Sequence, residues 1–161
     1  MAGPPLPAGT ERIADAPDGL EVGHRLMAAG EYELALRAYY RSAADDGISV
    51  DVLSAVGSAN LRLGRLGQSE QMLRRALEQD ETFVPALNNL GVVLAEQGRW
   101  AEAEHYFRAA FALDSGRSDD IRENLRRAIA NSAQRRYAEP EDSGFSLVRR
   151  GAGQYLLLST P

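Results

Sequence analysis

Between residues 16 and 137 the apolar residues recur every three or four positions, the spacing that gathers side chains on one face of a helix, rather than by the twos of a half-buried strand. The runs are short and glycines break them. First helices are therefore predicted near 18–29, 50–63 and 83–97, and second helices near 32–45, 66–79 and 100–113, with Gly30, Gly64 and Gly98 at the breaks within each pair. Thr82 is the expected N-cap of the third first-helix, and Pro85 falls in its first turn, where a missing N–H costs nothing. Residues 118–137 read as one further helix. Ser118 caps it, Asp119, Asp120 and Glu123 favour its start, Arg135 and Arg136 favour its end, and Ile121, Leu125 and Ile129 form an apolar stripe. Residues 1–15 hold three prolines and read as a flexible leader, and 138–144 as a linker. In the tail, FSLVRR and QYLLLS flank Gly-Ala-Gly. They suit either a short β-hairpin or an extended segment that has to dock, because an isolated hairpin is marginal in water.

A spacing of 34 superposes the helical pairs. It aligns Gly23, Gly57 and Gly91; Tyr39, Leu73 and Phe107; Ala35, Ser69 and Ala103; and Ser42, Ala76 and Ala110. Small residues facing bulky ones let one helix approach its partner while a large side chain fills the space beside it. Asn89-Leu90-Gly91 and the run Gly98-Arg99-Trp100-Ala101-Glu102-Ala103 carry a resemblance to the tetratricopeptide repeat, whose period is the same. The resemblance implies an all-α fold: a right-handed superhelical array of three helix pairs (16–49, 50–83 and 84–117), a capping helix at 118–137 and a tail at 138–161. A solenoid end needs such a cap with one polar face. Two features depart from the family pattern. Gly47, Glu81 and Ser115 stand where a proline usually closes each repeat, and Asn60 occupies a column that holds Leu26 and Leu94 elsewhere. A buried Asn needs partners, either on a neighbouring helix or in a ligand.

Composition removes several kinds of chemistry. No cysteine is present, so disulfides, thiolate metal sites and cysteine nucleophiles are excluded, and all 18 basic residues are arginine, so a Schiff-base lysine is excluded as well. His24 and His105 belong to different repeats, and no metal-binding His-Glu-x-x-His run or Ser-centred glycine elbow occurs. The expectation is a non-enzymatic protein with no catalytic residues, no metal and no cofactor. The net charge of −5 argues against nucleic acid as the main partner. It divides unevenly: residues 1–115 hold 10 Arg against 17 acids (−7), and residues 116–161 hold 8 against 6 (+2). The arginines at 122, 126, 127, 135 and 136 read as a solvated helix face or as a site for an acidic partner. No run is long and apolar enough for a transmembrane helix.

The family resemblance implies a concave groove lined by the first helices and accepting a peptide segment. Carried over by register, its lining is Leu20, His24 and Met27 from the first repeat, Asp51, Ser54, Ser58 and Arg62 from the second, and Asn88, Asn89, Val92 and Glu96 from the third. Glu21, Ala28, Ala55, Leu61, Pro85 and Ala95 fall in the same columns. Side-chain amides such as Asn88 and Asn89 can both donate to and accept from a peptide backbone. Chaperone adaptors of this family grip a C-terminal carboxylate at columns that here hold Leu20, His24, Ala55, Pro85 and Asn89, and only Asn89 fits. The segment Ile121-Arg122-Glu123-Asn124-Leu125 and the tail Leu-Val-Arg-Arg-Gly-x-Gly-x-Tyr at 147–155 are similar to bacterial tight-adherence (Flp) pilus assembly proteins. That similarity implies an envelope-associated or periplasmic scaffold for a pilus or secretion complex, with the cytoplasm as the alternative. The partner is a protein or peptide. A second reading is a self-assembling structural protein that associates through residues 145–158.

Overall fold

Three helical hairpins follow one another because the same turn chemistry recurs. The computed structural model describes residues 18–138 and two strands beyond them. The first hairpin is α1 (Gly19–Ala28) with α2 (Tyr32–Asp46), the second α3 (Val50–Arg62) with α4 (Leu66–Gln79), and the third α5 (Val84–Glu96) with α6 (Trp100–Asp114). In each, a glycine takes the left-handed backbone that a Cβ would disfavour: Gly30, Gly64 and Gly98 have φ of 79°, 73° and 76°. Its N–H bonds the carbonyl three residues back, and the next N–H bonds the carbonyl five back, Glu31 to Leu26, Arg65 to Asn60 and Arg99 to Leu94. This paired closure satisfies carbonyls that the helix end would otherwise leave open.

Within each hairpin the helices meet at the small-to-large columns. A Cβ built on Gly23 would lie 2.2 Å from the Tyr39 ring, one on Gly57 2.6 Å from Leu73, and one on Gly91 2.5 Å from Phe107. The helices touch where those glycines stand. Ala35, Ser69 and Ala103 are fully buried opposite them, and Ser69 Oγ donates to the Gly57 carbonyl at 2.7 Å. The core runs along the array as adjoining clusters, one around Ala35, Tyr39 and Val56 and another around Leu73, Leu90, Leu94 and Phe107.

The seventh helix, α7 (Asp119–Ala138), packs against α6. Ser118 Oγ accepts from the Ile121 N–H at 3.3 Å, so the expected cap is present. Ile121 joins Leu87 and Ala110, and Ala128 with half-buried Leu125 joins the cluster of Phe107. The apolar stripe corrects the expectation: Ile129 is exposed, and the buried positions are Ile121, Ala128 and Ser132. Steps of seven and eleven residues return to the same helix face, whereas a step of eight drifts by about 80° at 3.6 residues per turn. Two other expectations change. Thr82 does not cap α5; its N–H and hydroxyl both bond Asp80 Oδ1, at 2.9 and 2.7 Å, and Phe83 occupies the cap position. Asn60 makes its hydrogen bond within its own helix and not to a neighbouring one. It is buried and donates at 3.0 Å to the Val56 carbonyl of its own helix.

Beyond α7, the runs FSLVRR and QYLLLS pair antiparallel as β1 (Phe145–Arg150) and β2 (Gln154–Ser159), with Phe145 opposite Ser159 and Arg150 opposite Gln154. The leader at 1–15, the linker after Ala138 and the docking of the tail lie outside the described residues.

Candidate peptide-binding groove

The first helices α1, α3 and α5 stand side by side, and polar side chains join α3 to α5 and α5 to α7. Asn89 Nδ2 on α5 donates to Ser58 Oγ on α3 at 2.6 Å, and Asn124 Nδ2 on α7 donates to Asn88 Oδ1 at 3.1 Å. The two amides thus hold adjacent helices at a set spacing. Arg62, at the end of α3, donates through Nε and Nη2 to the Tyr32 hydroxyl at 3.1 and 2.6 Å, and its Cζ lies 5.1 Å from the centroid of the Tyr32 ring. Tyr32 escaped sequence reasoning because its column holds Leu66 and Trp100 and reads as core; only the hydroxyl distinguished it.

Beside the Asn89–Ser58 contact opens a cavity of about 570 Å³ lined by Met27, Ser58, Arg62, Asn89, Val92 and Glu96, all in the predicted lining. Leu61, from the same columns, joins them, and Gly64 and Leu66 add a rim that the turn after α3 supplies. The cavity therefore draws on three repeats and carries one guanidinium, one carboxylate and an apolar floor of Met27, Leu61 and Val92. The other predicted residues sit elsewhere. Leu20 is half-buried against the cluster of Tyr39, and Asp51 is exposed at the start of α3. Ser54 is a correction: at 4% exposure it belongs to the packed side of α3, because the wide buried face of this helix reaches that position. Asn88 faces α7. His24 is exposed but turned to its own repeat, its Nδ1 3.0 Å from the Tyr39 hydroxyl and its ring edge-on at 5.5 Å. Burial pushes the Tyr39 phenol up to about 12.

The third wall of the groove is held in place from behind by charge. Glu70 of α4 accepts from Arg74 at 2.9 and 2.7 Å, from Arg99 at 3.0 and 3.1 Å, and from Gln97 at 3.1 Å. Burial alone would push the Glu70 carboxyl up; the hydrogen bonds from Arg74, Gln97 and Arg99, together with the Arg99 charge, outweigh it and hold the group below the ordinary carboxylate range. Glu102, bonded to Arg99 at two atoms and 2.8 Å each, is lowered by that pairing as well. The turn between α5 and α6 is thereby fixed to α4.

Two family models, each described as tetratricopeptide repeat, match residues 20–82 and 84–117. The chain is a tetratricopeptide-repeat protein. Among curated proteins it is similar to DnaJ homolog subfamily C member 3 of Rattus norvegicus, 26% identical over 130 residues, and to cellulose synthase operon protein C of Komagataeibacter xylinus, 36% identical over 69 residues. The matched part is 81% of this repeat protein but 26% of the rat protein, and 43% of it but 5% of the bacterial one. Among solved structures it resembles the Sgt2 TPR domain from Aspergillus fumigatus, with a TM-score of 0.70 at 20% identity, covering 86% of this chain and 93% of that one. It also resembles the first TPR domain of Spaghetti (RPAP3) bound to the HSP90 peptide SRMEEVD, with a TM-score of 0.66 at 19% identity, covering 74% and 96%. At these identities the likeness is one of fold.

Proposed function

We propose that the protein is a non-enzymatic interaction scaffold that binds a peptide segment of a partner in the groove between α1, α3 and α5. The observation that carries this reading is the convergence of Met27, Ser58, Arg62, Asn89 and Val92, from three repeats, on one cavity of about 570 Å³. That size suits a few side chains of a bound segment. The neighbour solved with an HSP90 peptide supports the same use of the fold. The ligand differs from that peptide's class, because the carboxylate-gripping columns hold Leu20, His24, Ala55 and Pro85 and the remaining Asn89 is already bonded to Ser58. The groove instead offers a guanidinium and a carboxylate at its rim over an apolar floor. The Flp-like segments at 121–125 and 147–155, and the similarity to a bacterial cellulose synthase operon protein, support assembly of an envelope or secretion complex as the setting.

A random peptide library displayed on phage and selected on the wild-type chain tests the groove. Enriched peptides should lose binding to the double variant Arg62→Ala, Asn89→Ala at unchanged helicity and keep binding to Arg75→Ala on the exposed face of α4. Equal binding to both variants removes the groove assignment.

The pairing of β1 with β2 favours a second reading, self-association through residues 145–158, because a two-stranded sheet has two edges to offer another copy. Truncation after Tyr137 should then convert an oligomer to a monomer in sedimentation velocity; an unchanged profile eliminates this reading.

A further inference from the structure

The side chains that join the second repeat to the third recur one repeat later, where a single further helix, α7, follows among the described residues. Glu70 and Arg74 form an i,i+4 pair on α4, and it is closed from the next repeat by Gln97, Arg99 and the Tyr106 hydroxyl, which takes a hydrogen bond from Arg74 at 3.1 Å. Thirty-four residues on, Glu104 and Arg108 form the same i,i+4 pair on α6. The residues matching Gln97 and Arg99 are there Asn131 and Ala133, and α7 continues through them as helix without a turn. No second helix follows among the described residues to take the place of the one bearing Tyr106.

What remains is a cleft of about 610 Å³ between the start of α6 and the end of α7, with Trp100, Ala101, His105 and Arg108 on one wall and Arg135 and Arg136 on the other. Arg99 and Arg108 are occupied by Glu70, Glu102 and Glu104. Arg135 lies across the turn, its Nη2 3.1 Å from where a Cβ on Gly98 would stand, and Arg136 donates to the Ser132 carbonyl and hydroxyl, both at 3.4 Å. Neither pairs with a carboxylate of the described residues. The cleft therefore combines a partly buried indole with two cations that meet no carboxylate of the described residues, beside Glu102 and Glu104, which also line it and are paired with Arg99 and Arg108.

We propose that this α6–α7 cleft binds an acidic amphipathic helix of a partner protein, stacked where the next repeat's helix would lie. Its carboxylates meet Arg135 and Arg136, and its apolar side chains lie on Trp100 and Ala101. The place in the solenoid selects a helix, since it repeats, one unit on, the position at which Arg74 of α4 meets the side chains of Tyr106 and Glu102 on the helix α6. The charge selects an acidic one. A second copy in repeat register fits poorly: its first repeat carries Ala29, Glu31 and Ala38 where Gln97, Arg99 and Tyr106 close the earlier interface. This site is separate from the α1–α3–α5 groove and does not rest on it.

Trp100 is the sole tryptophan and reports on the cleft directly. The probe is a synthetic amphipathic helix of about sixteen residues, glutamate on one face and leucine on the other, long enough to populate a helix, alongside a version with glutamine for glutamate. The glutamate peptide should shift Trp100 emission saturably at low salt. Its affinity should fall about tenfold with Arg135→Gln and Arg136→Gln together, and stay within about twofold with the charge-matched pair Arg126→Gln and Arg127→Gln. Ala101→Glu, at an exposed helical position on the opposite wall, should weaken binding as well and serves if the first pair disturbs α7. Equal binding of the glutamine peptide, equal weakening by the control pair, displacement by single-stranded DNA at equal affinity, or a peptide-independent dimer occupying the cleft would each overturn the proposal.

Discussion

Adding one carbon at Gly91 tests the register on which the groove depends. A Cβ there would stand 2.5 Å from Phe107 Cε1, 2.7 Å from Cδ1 and 2.9 Å from Cζ. Ordinary carbon contacts lie near 3.5–4.0 Å, so the ring must retreat by about 1 Å or the helices must separate. Phe107 is 2% exposed and packed with Leu90, Leu94 and Ala103, which leaves it nowhere to go without displacing close-packed neighbours. Overpacking of this kind costs about 1–3 kcal/mol, offset for alanine by about 1 kcal/mol of helix propensity gained over glycine. Gly91→Ala should therefore destabilise by about 1 kcal/mol and Gly91→Val by about 3 kcal/mol, since valine adds two methyl groups against the same ring. Urea unfolding followed by far-UV circular dichroism gives the values. The decisive comparison repeats Gly91→Ala in a Phe107→Ala background, where the clash is gone and only propensity remains. There it should be neutral or stabilising by up to about 1 kcal/mol. The same destabilisation in both backgrounds would refute the contact.

Two further outcomes concern pH. The Glu70 carboxyl is depressed in the folded chain, so its contribution to stability is present above the ordinary Glu pKa and lost as pH falls through the lower folded value. Glu70→Gln should lower stability at neutral pH and flatten the acid limb of a melting-temperature profile; an acid limb of unchanged slope would show that Glu70 does not fasten α4 to the following turn. Tyr39 is raised to about 12, so the unfolded phenol ionises first and stability falls as pH rises from 10 through about 12. Tyr39→Phe should remove that alkaline loss while costing the His24 contact, and an alkaline limb identical to wild type would assign it to another group.

The helices and their pairing were legible because each rests on a local and repeated signal. Gly23, Gly57 and Gly91 recur with Tyr39, Leu73 and Phe107, and turn glycines recur at 30, 64 and 98, so one period fixes both where helices end and which faces meet. Ser54 and Ile129 were not legible, because each lies at the edge of a buried face and a shift of one helical position decides whether it meets core or water; the burial of Asn60 was legible from its column, but not its bond to the Val56 carbonyl of its own helix. The groove was legible as a set of columns but not as chemistry. Nothing in the sequence says that Asn89 reaches Ser58, that Asn88 reaches Asn124 or that Arg62 rests on Tyr32, since these pairs join residues about thirty apart. The α6–α7 cleft was hidden for a different reason. It arises where α6 and α7 diverge, and the arginines of α7 look alike in sequence although, among them, Arg135 and Arg136 line it.

The most direct test of the groove places a photo-crosslinking amino acid at Val92, inside the cavity, and separately at Arg75 on the exposed face of α4, in cells that produce the protein. Val92 should yield a discrete adduct that maps by mass spectrometry to one partner peptide, and Asn89→Arg, which fills the cavity beside it, should abolish the adduct; Arg75 should yield none. An adduct of the same identity from Arg75, or one from Val92 that survives Asn89→Arg, would contradict the account.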